Sequence, residues 1–158
     1  MQIYHGKSVS GGIAAGRISL YGKGECSVKR ENKEDLQAEI CRYREANDKA
    51  LEQLGRLYEK ALQEVGEAGA AIFEIHRMML EDCDFQEAIE NIIRTLSVNA
   101  EYAVAQTADN FVRMFQACGD DYMTGRAADI KDISQRLLAV LQGREEKGFR
   151  VKEPSIIV

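Results

Sequence analysis

Few side chains in this 158-residue sequence could make or break bonds. There are two histidines, the side chains best placed to move protons near neutral pH. His5 has no sequence neighbour that would activate it, and His76, at helical spacing between Ile72 and Leu80, reads as a buried, hydrogen-bonded core histidine. Ser8, Ser10, Ser19, Ser97 and Ser134 lack G-x-S-x-G or S-x-x-K surroundings. No H-E-x-x-H, E-x-x-H or EF-hand spacing marks a metal site, and Asp129 with Asp132, three apart, reads as a solvated helix face. Cys26, Cys41, Cys83 and Cys118 form no C-x-x-C pair, which favours reduced thiols, and Cys41 and Cys83 read as packing residues. The glycine-rich SGGIAAG (10–16) has no G-x-G-x-x-G or Walker pattern and no helix after it, so close backbone packing explains it better than phosphate binding.

What remains is the chemistry of recognition. In AAIFEIHRMMLEDCDF (70–85), a wheel at about 100° per residue gathers Ile72, Phe73, Ile75, His76, Met79, Leu80 and Cys83 on one face. Met78 falls on the other, among Ala71, Glu74 and Asp82, with Glu81 nearby. From Gly66 to Glu90 seven acids (Glu67, Glu74, Glu81, Asp82, Asp84, Glu87, Glu90) face the single base Arg77. A shape-adaptable methionine inside an acidic field suits a basic partner, with Phe85 as a second apolar anchor. Arg126, one turn into a later helix, either pairs with Asp129 or a neighbouring acid, or joins the same docking surface.

The elements that position these residues are mainly helical. Leu36, Ile40, Tyr43, Asn47, Ala50, Leu54, Leu57 and Ala61 follow one another at alternating steps of four and three, the seam of a long helix over 34–65. Such a helix is roughly 45 Å long, with Gly55 inside it. Gly66 and Gly69 bracket a turn into the helix carrying Met78. That helix stops near 81–83, and Asp84 with Glu87 reads as a capping box for a helix over 85–96. The pair 70–82 and 85–96 is then one element broken by a kink. Asn99 is the expected N-cap of a helix over 100–118 that ends on Gly119. The last helix spans 121–142, with a seam of Ile130, Ile133, Leu137 and Leu141 and Gly143 as its stop. Outside the helices, IAAGRISLY (13–21) alternates like a strand, and SIIV (155–158) looks like the start of a buried one that needs a sheet to join.

Composition narrows the class further. At 45% apolar and 30% charged the sequence is ordinary for a globular domain. It has no run of 18 apolar residues and no signal-peptide layout, so no membrane segment is expected. A net charge of −5 without a basic stripe argues against nucleic acid.

The segments AIFEIHRMMLED (71–82) and RAADIKDISQRLL (126–138), supported by SGGIAAG, resemble the N-terminal part of enzyme I of the bacterial phosphoenolpyruvate–sugar phosphotransferase system. The resemblance runs over essentially the whole chain, departing from the family at Gly11, where the family has proline. It implies an all-α domain inserted in an α/β phosphohistidine domain, the helical part docking the small phosphocarrier HPr. The fold expected is therefore mainly α: antiparallel helical hairpins in a four-helix-type bundle with one kinked helix, plus short strands at both ends. The expected organisation is 1–21 for the first strands of the phosphohistidine domain, 22–143 for the docking domain, and 144–158 for a linker and returning strand.

Carried over by position, the family's docking surface comprises Glu67, Ala71, Glu74, Met78, Met79, Asp82, Asp84, Phe85 and Arg126. The family's phosphorylated histidine follows a Thr-Ser pair, which neither His5 nor His76 has. It is expected beyond Val158, as are the magnesium and phosphoenolpyruvate sites of a later barrel, so no catalytic residue and no cofactor is assigned to this chain. The resemblance further implies a cytoplasmic protein, monomeric as this portion and dimeric through the barrel. The competing readings are a plain helical interaction scaffold and a segment of a relative such as pyruvate phosphate dikinase; the two motifs weigh against both.

Overall fold

In a computed structural model, residues 11, 15–19, 27–144 and 155–157 are described. They fall in two compact units, one within 1–25 and 147–158, the other within 26–146. Of the first, the described elements are β1 (Arg17–Ser19) and β2 (Ser155–Ile157), which pair in parallel with Arg17 opposite Ser155, Ile18 opposite Ile156 and Ser19 opposite Ile157. Parallel strands are joined only through a long crossover. Here the chain between them holds the whole second unit.

The second unit contains four helices among its described residues: α1 (Leu36–Glu81), α2 (Cys83–Leu96), α3 (Ala100–Ala117) and α4 (Asp121–Leu141). It is a helical bundle in which α1 packs on the other three, α2 on α3 and α3 on α4. The 3.5-period seam of α1 is where the core lies: Ile40, Tyr43, Ala50 and Leu54 are buried, facing Ile89 and Ile93 of α2, Val104 of α3, and Ile133 and Leu137 of α4 in one cluster. The seam then fades, with Leu57 and Ala61 half-buried and Val65 exposed.

Gly66 is the only residue inside α1 with non-helical angles (φ 79°, ψ −178°). The sequence reading of a turn bracketed by Gly66 and Gly69 is thus corrected to a one-residue break. Gly69 stays helical, but a Cβ there would lie 2.4 Å from Cγ2 of Val65. The kink folds the chain back onto that position.

A second break falls at Asp82, one residue between α1 and α2. The capping box placed at Asp84 is corrected to a cap two residues earlier: the Asp82 carboxylate accepts from the Phe85 backbone N–H at 2.9 Å. The break also explains Cys83. It is exposed rather than packed, because a wheel drawn through Asp82 runs out of phase on the far side. Cys41 is exposed as well, about 100° round from the buried Ile40. Ile72, placed on the core face, is 39% exposed; the buried stripe runs through Ala70, His76 and Leu80, with Phe73 half-buried, and Ile72 sits to one side.

Asn99 begins α3 as expected, yet its side chain makes no cap. The amide instead straps the incoming chain, accepting from Glu31 N–H (3.0 Å) and donating to the Lys29 carbonyl (3.1 Å). The cap it forgoes comes from Glu39, whose Oε1 accepts from Ala100 N–H at 2.7 Å. Gly119 and Gly143, both at positive φ, follow the ends of α3 and α4.

Two charged clusters, one centred on Arg42 and one on Glu90, clamp the helices. Arg42 of α1 reaches both Glu39 and Glu101 of α3 at 2.6 Å, and Glu90 of α2 is held by Arg44 at 2.7 Å and by Arg94. Burial pushes Glu39 and Glu101 upward, but hydrogen bonds from Arg42, with further bonds from Ala100 N–H to Glu39, outweigh it and leave both carboxyls below their ordinary values. Glu90 is lowered chiefly by its hydrogen bond from Arg44. Buried Tyr43 is pushed up, first by desolvation and then by the Glu90 charge.

Candidate functional site

The end of α1 beyond the kink, the start of α2, the end of α3 and the start of α4 enclose a groove of about 460 Å³. Its apolar wall on the α1 side is Ile75, Met78 and Met79; on the opposite side stand Met114, Phe115, Tyr122 and Met123. Met78 is 64% exposed, Met114 52% and Tyr122 64%. Every methionine among the described residues lines this groove. Thioether side chains with three rotatable bonds can repack around a ligand surface, as promiscuous binding surfaces exploit. A single exposed methionine needs no explanation; four around one depression describe an adaptable apolar contact.

The floor is aromatic. Phe85 is 1% exposed and meets Phe111 edge to face at 5.4 Å, and Phe111 meets Phe115 likewise at 6.2 Å. Phe85 is therefore not the exposed second anchor expected from sequence: its position two residues inside α2, right after the Asp82 break, turns its ring inward. It supports the surface that Met78, Met114 and Phe115 present.

Asp82 and Asp84 supply negative charge at one edge, and Arg126 is the single cation among the lining residues. The acids sit at the start of α2, where the helix dipole stabilises them. Arg77, by contrast, is engaged by Glu74 (3.3 Å) and Glu81 (3.6 Å) on its own helix, so it does not cancel the edge. Arg126 donates from Nε and Nη2 to Tyr122 Oη at 3.3 and 2.8 Å, and its Nη1 lies 3.7 Å from Asp129 Oδ2. Asp129 also comes within 3.5 Å of buried His76. It is thus engaged on both sides rather than part of the solvated face read from sequence.

Of the nine residues carried over, Met78, Met79, Asp82, Asp84, Phe85 and Arg126 converge on the groove. Glu67, Ala71 and Glu74 are exposed on α1 but do not line it. The α3 contribution (Phe111, Met114, Phe115) and Tyr122, Met123 and Ile130 of α4 were not reached by sequence reasoning. The signal that could have found them is the placement of the methionines, each on or beside a helix end. Among the described residues no three or more His, Cys, Asp or Glu side chains converge to hold a metal ion, and no helix is long and apolar enough to cross a membrane.

Comparisons with known proteins agree with this architecture. Residues 5–126 match the family model described as the N-terminal part of phosphoenolpyruvate-utilising enzymes. The phosphoenolpyruvate-protein phosphotransferase of Bacillus sp. (strain S) is 37% identical over 153 residues, covering 97% of this chain and 26% of the relative. That of Bacillus subtilis (strain 168) is 36% identical over 157 residues, covering 99% and 27%. The chain spans about a quarter of the length of the curated relatives it matches. Among solved structures, an NMR solution structure of an Enzyme I protein aligns at TM-score 0.78 and 30% identity, over 90% of this chain and 58% of that one. The N-terminal domain of a nitrogen-type Enzyme I aligns at 0.72 and 23% identity, over 82% and 55%, and supports the fold alone.

Proposed function

Because the chain belongs to the family of phosphoenolpyruvate-utilising enzymes, as their N-terminal part, we propose that its helical unit is the docking platform for the phosphocarrier HPr in a phosphoenolpyruvate–protein phosphotransferase of the cytoplasm. In the full reaction a phosphoryl group passes from phosphoenolpyruvate to a histidine of the enzyme and then to HPr. The residues described here are assigned the second encounter: they hold HPr where that transfer takes place. No chemical step is assigned to His76, whose Nε2 is buried.

The observation that carries this reading is the groove itself, four methionines over a phenylalanine floor with Asp82 and Asp84 at its edge. A basic partner with an apolar centre would bury the methionines while the acids steer its approach. Such an interface is small, fast to form and weakened by salt. Glu67, Ala71 and Glu74, on the same kinked segment, extend the contact beyond the groove.

The test is a titration with unphosphorylated HPr of the same organism, followed by amide shifts at low and moderate salt. The expected result is a set of perturbations on residues 74–85, 111–115 and 122–126 that shrinks with salt. Shifts confined elsewhere, or none with the helices intact, would reject the assignment. A Met78→Ala change should weaken binding while leaving thermal unfolding unchanged, since the side chain is mostly exposed.

A further inference from the structure

The groove's one cation is held by one residue that lines the groove and one that does not. Arg126 presents one edge of its guanidinium to Tyr122 Oη and lies 5.1 Å from the centre of that ring. Tyr122 is 64% exposed and uncharged, so it orients the guanidinium without neutralising it. The charged partner, outside the groove lining, is Asp129, one turn further along α4. Its Oδ2 lies 3.7 Å from Arg126 Nη1 and its Oδ1 lies 3.5 Å from Nε2 of His76 on α1. The His76 side chain is buried, and its Nε2 has no hydrogen-bond partner. A buried imidazole nitrogen without a hydrogen bond is costly. What lies within ion-pair reach of it is the carboxylate already engaged with Arg126.

We propose that Asp129 and His76 are positioning residues for Arg126, joining the kinked part of α1 to α4 so that the groove keeps a fixed and neutralised guanidinium. The inference rests on the docking reading above. Its physical content is electrostatic as well as geometric. With Asp129 in place, Arg126 is compensated from behind, and Asp82 and Asp84 leave the edge negative for a basic partner. Without it, the guanidinium keeps only its uncharged Tyr122 partner, and its uncompensated charge offsets part of the field that steers the partner. His76 sits two residues before Met78, so the same contact also ties the methionine wall of α1 to the α4 wall.

The experiment is calorimetric titration of the chain with HPr at about 0.15 M salt, where screening over roughly 8 Å mutes the loss of a charge as such. The proteins are wild type, D129N, H76Q, R126Q, the doubles D129N/R126Q and H76Q/R126Q, and M78A. D129N and H76Q are each expected to weaken binding about fivefold, in the lower range for contacting groups in a double-mutant cycle. In the R126Q background the same changes should cost less than about twofold. Equal penalties in both backgrounds would overturn the positioning role while a sensitive Met78 keeps the docking reading. An M78A protein that binds like wild type would take both down. If H76Q fails to fold, the D129N arm decides alone, because Asp129 is partly exposed. In the free chain, D129N must also move the His76 imidazole nitrogen resonances; unmoved resonances would refute the contact.

Discussion

Two glycines of the same helix should respond in opposite directions to the same substitution. Gly55 and Gly66 both lie in α1, and at neither would an added Cβ meet an atom within 4 Å. They differ in backbone. Gly55 is helical, so Gly55→Ala removes unfolded-state freedom and adds helix propensity, a gain of about 0.5–1 kcal/mol. Gly66 sits at φ 79°, ψ −178°, a region open essentially to glycine, where any other residue costs on the order of 1–3 kcal/mol. The alanine at 66 also gains the same unfolded-state term, which offsets part of the strain. The net expectation is a loss of about 1–2 kcal/mol, or relief by straightening the kink. Straightening would carry Met78 and Met79 away from the α3–α4 wall, so the stability lost and the groove lost are alternatives. Urea unfolding separates the two proteins: with a slope of roughly 1–3 kcal/mol per molar, their midpoints should move apart by about 1 M. A HPr titration then tells which route Gly66→Ala takes, since a straightened α1 binds weakly at normal stability. If Gly66→Ala were as stabilising as Gly55→Ala and bound HPr normally, the claim that the kink is imposed at this residue and builds the groove would be wrong.

Other expectations are shorter to state. Glu39, Glu90 and Glu101 all have lowered values in the folded chain, so each binds fewer protons than its unfolded counterpart. Their contribution is fully present above the unfolded carboxylate range of about 4.3 and is lost as pH falls through the lower folded values. Urea midpoints followed from pH 6 downward should therefore drop below about pH 4.5, and Arg42→Met should flatten that drop by removing the donor to Glu39 and Glu101. Asp82 has two roles that substitution can part: Asp82→Asn keeps an acceptor for Phe85 N–H and should leave stability nearly unchanged while weakening HPr binding. Asp82→Ala should lose both, the stability by about 1 kcal/mol. Equal stability of the two variants would mean that the cap contributes nothing.

The helices were legible because a helix records its own buried face. The steps of four and three from Ile40 to Leu54 name residues that are buried, and Gly119 and Gly143 stop their helices at positive φ. Two of the misreadings share one cause. A wheel assumes unbroken phase, and the phase breaks at Gly66 and Asp82; Cys83 and the cap assigned to Asp84 fall just past the second break. Asn99 was legible as the residue before α3 but not as a strap, because its partners Lys29 and Glu31 are some 70 positions away.

By itself, then, the sequence determined the mainly helical class, the seam of α1, the acidic stretch around Met78 and the two segments that carry the family resemblance. All of these are properties of one element at a time. Only the tertiary structure decided that Met114, Phe115 and Met123 stand across from Met78, that Phe85 is the floor, and that Asp129 links His76 to Arg126. Periodicity fixes which way a side chain leaves its own helix. What it meets there depends on how neighbouring helices cross and where a single glycine bends the chain, and those are settled by packing between distant segments.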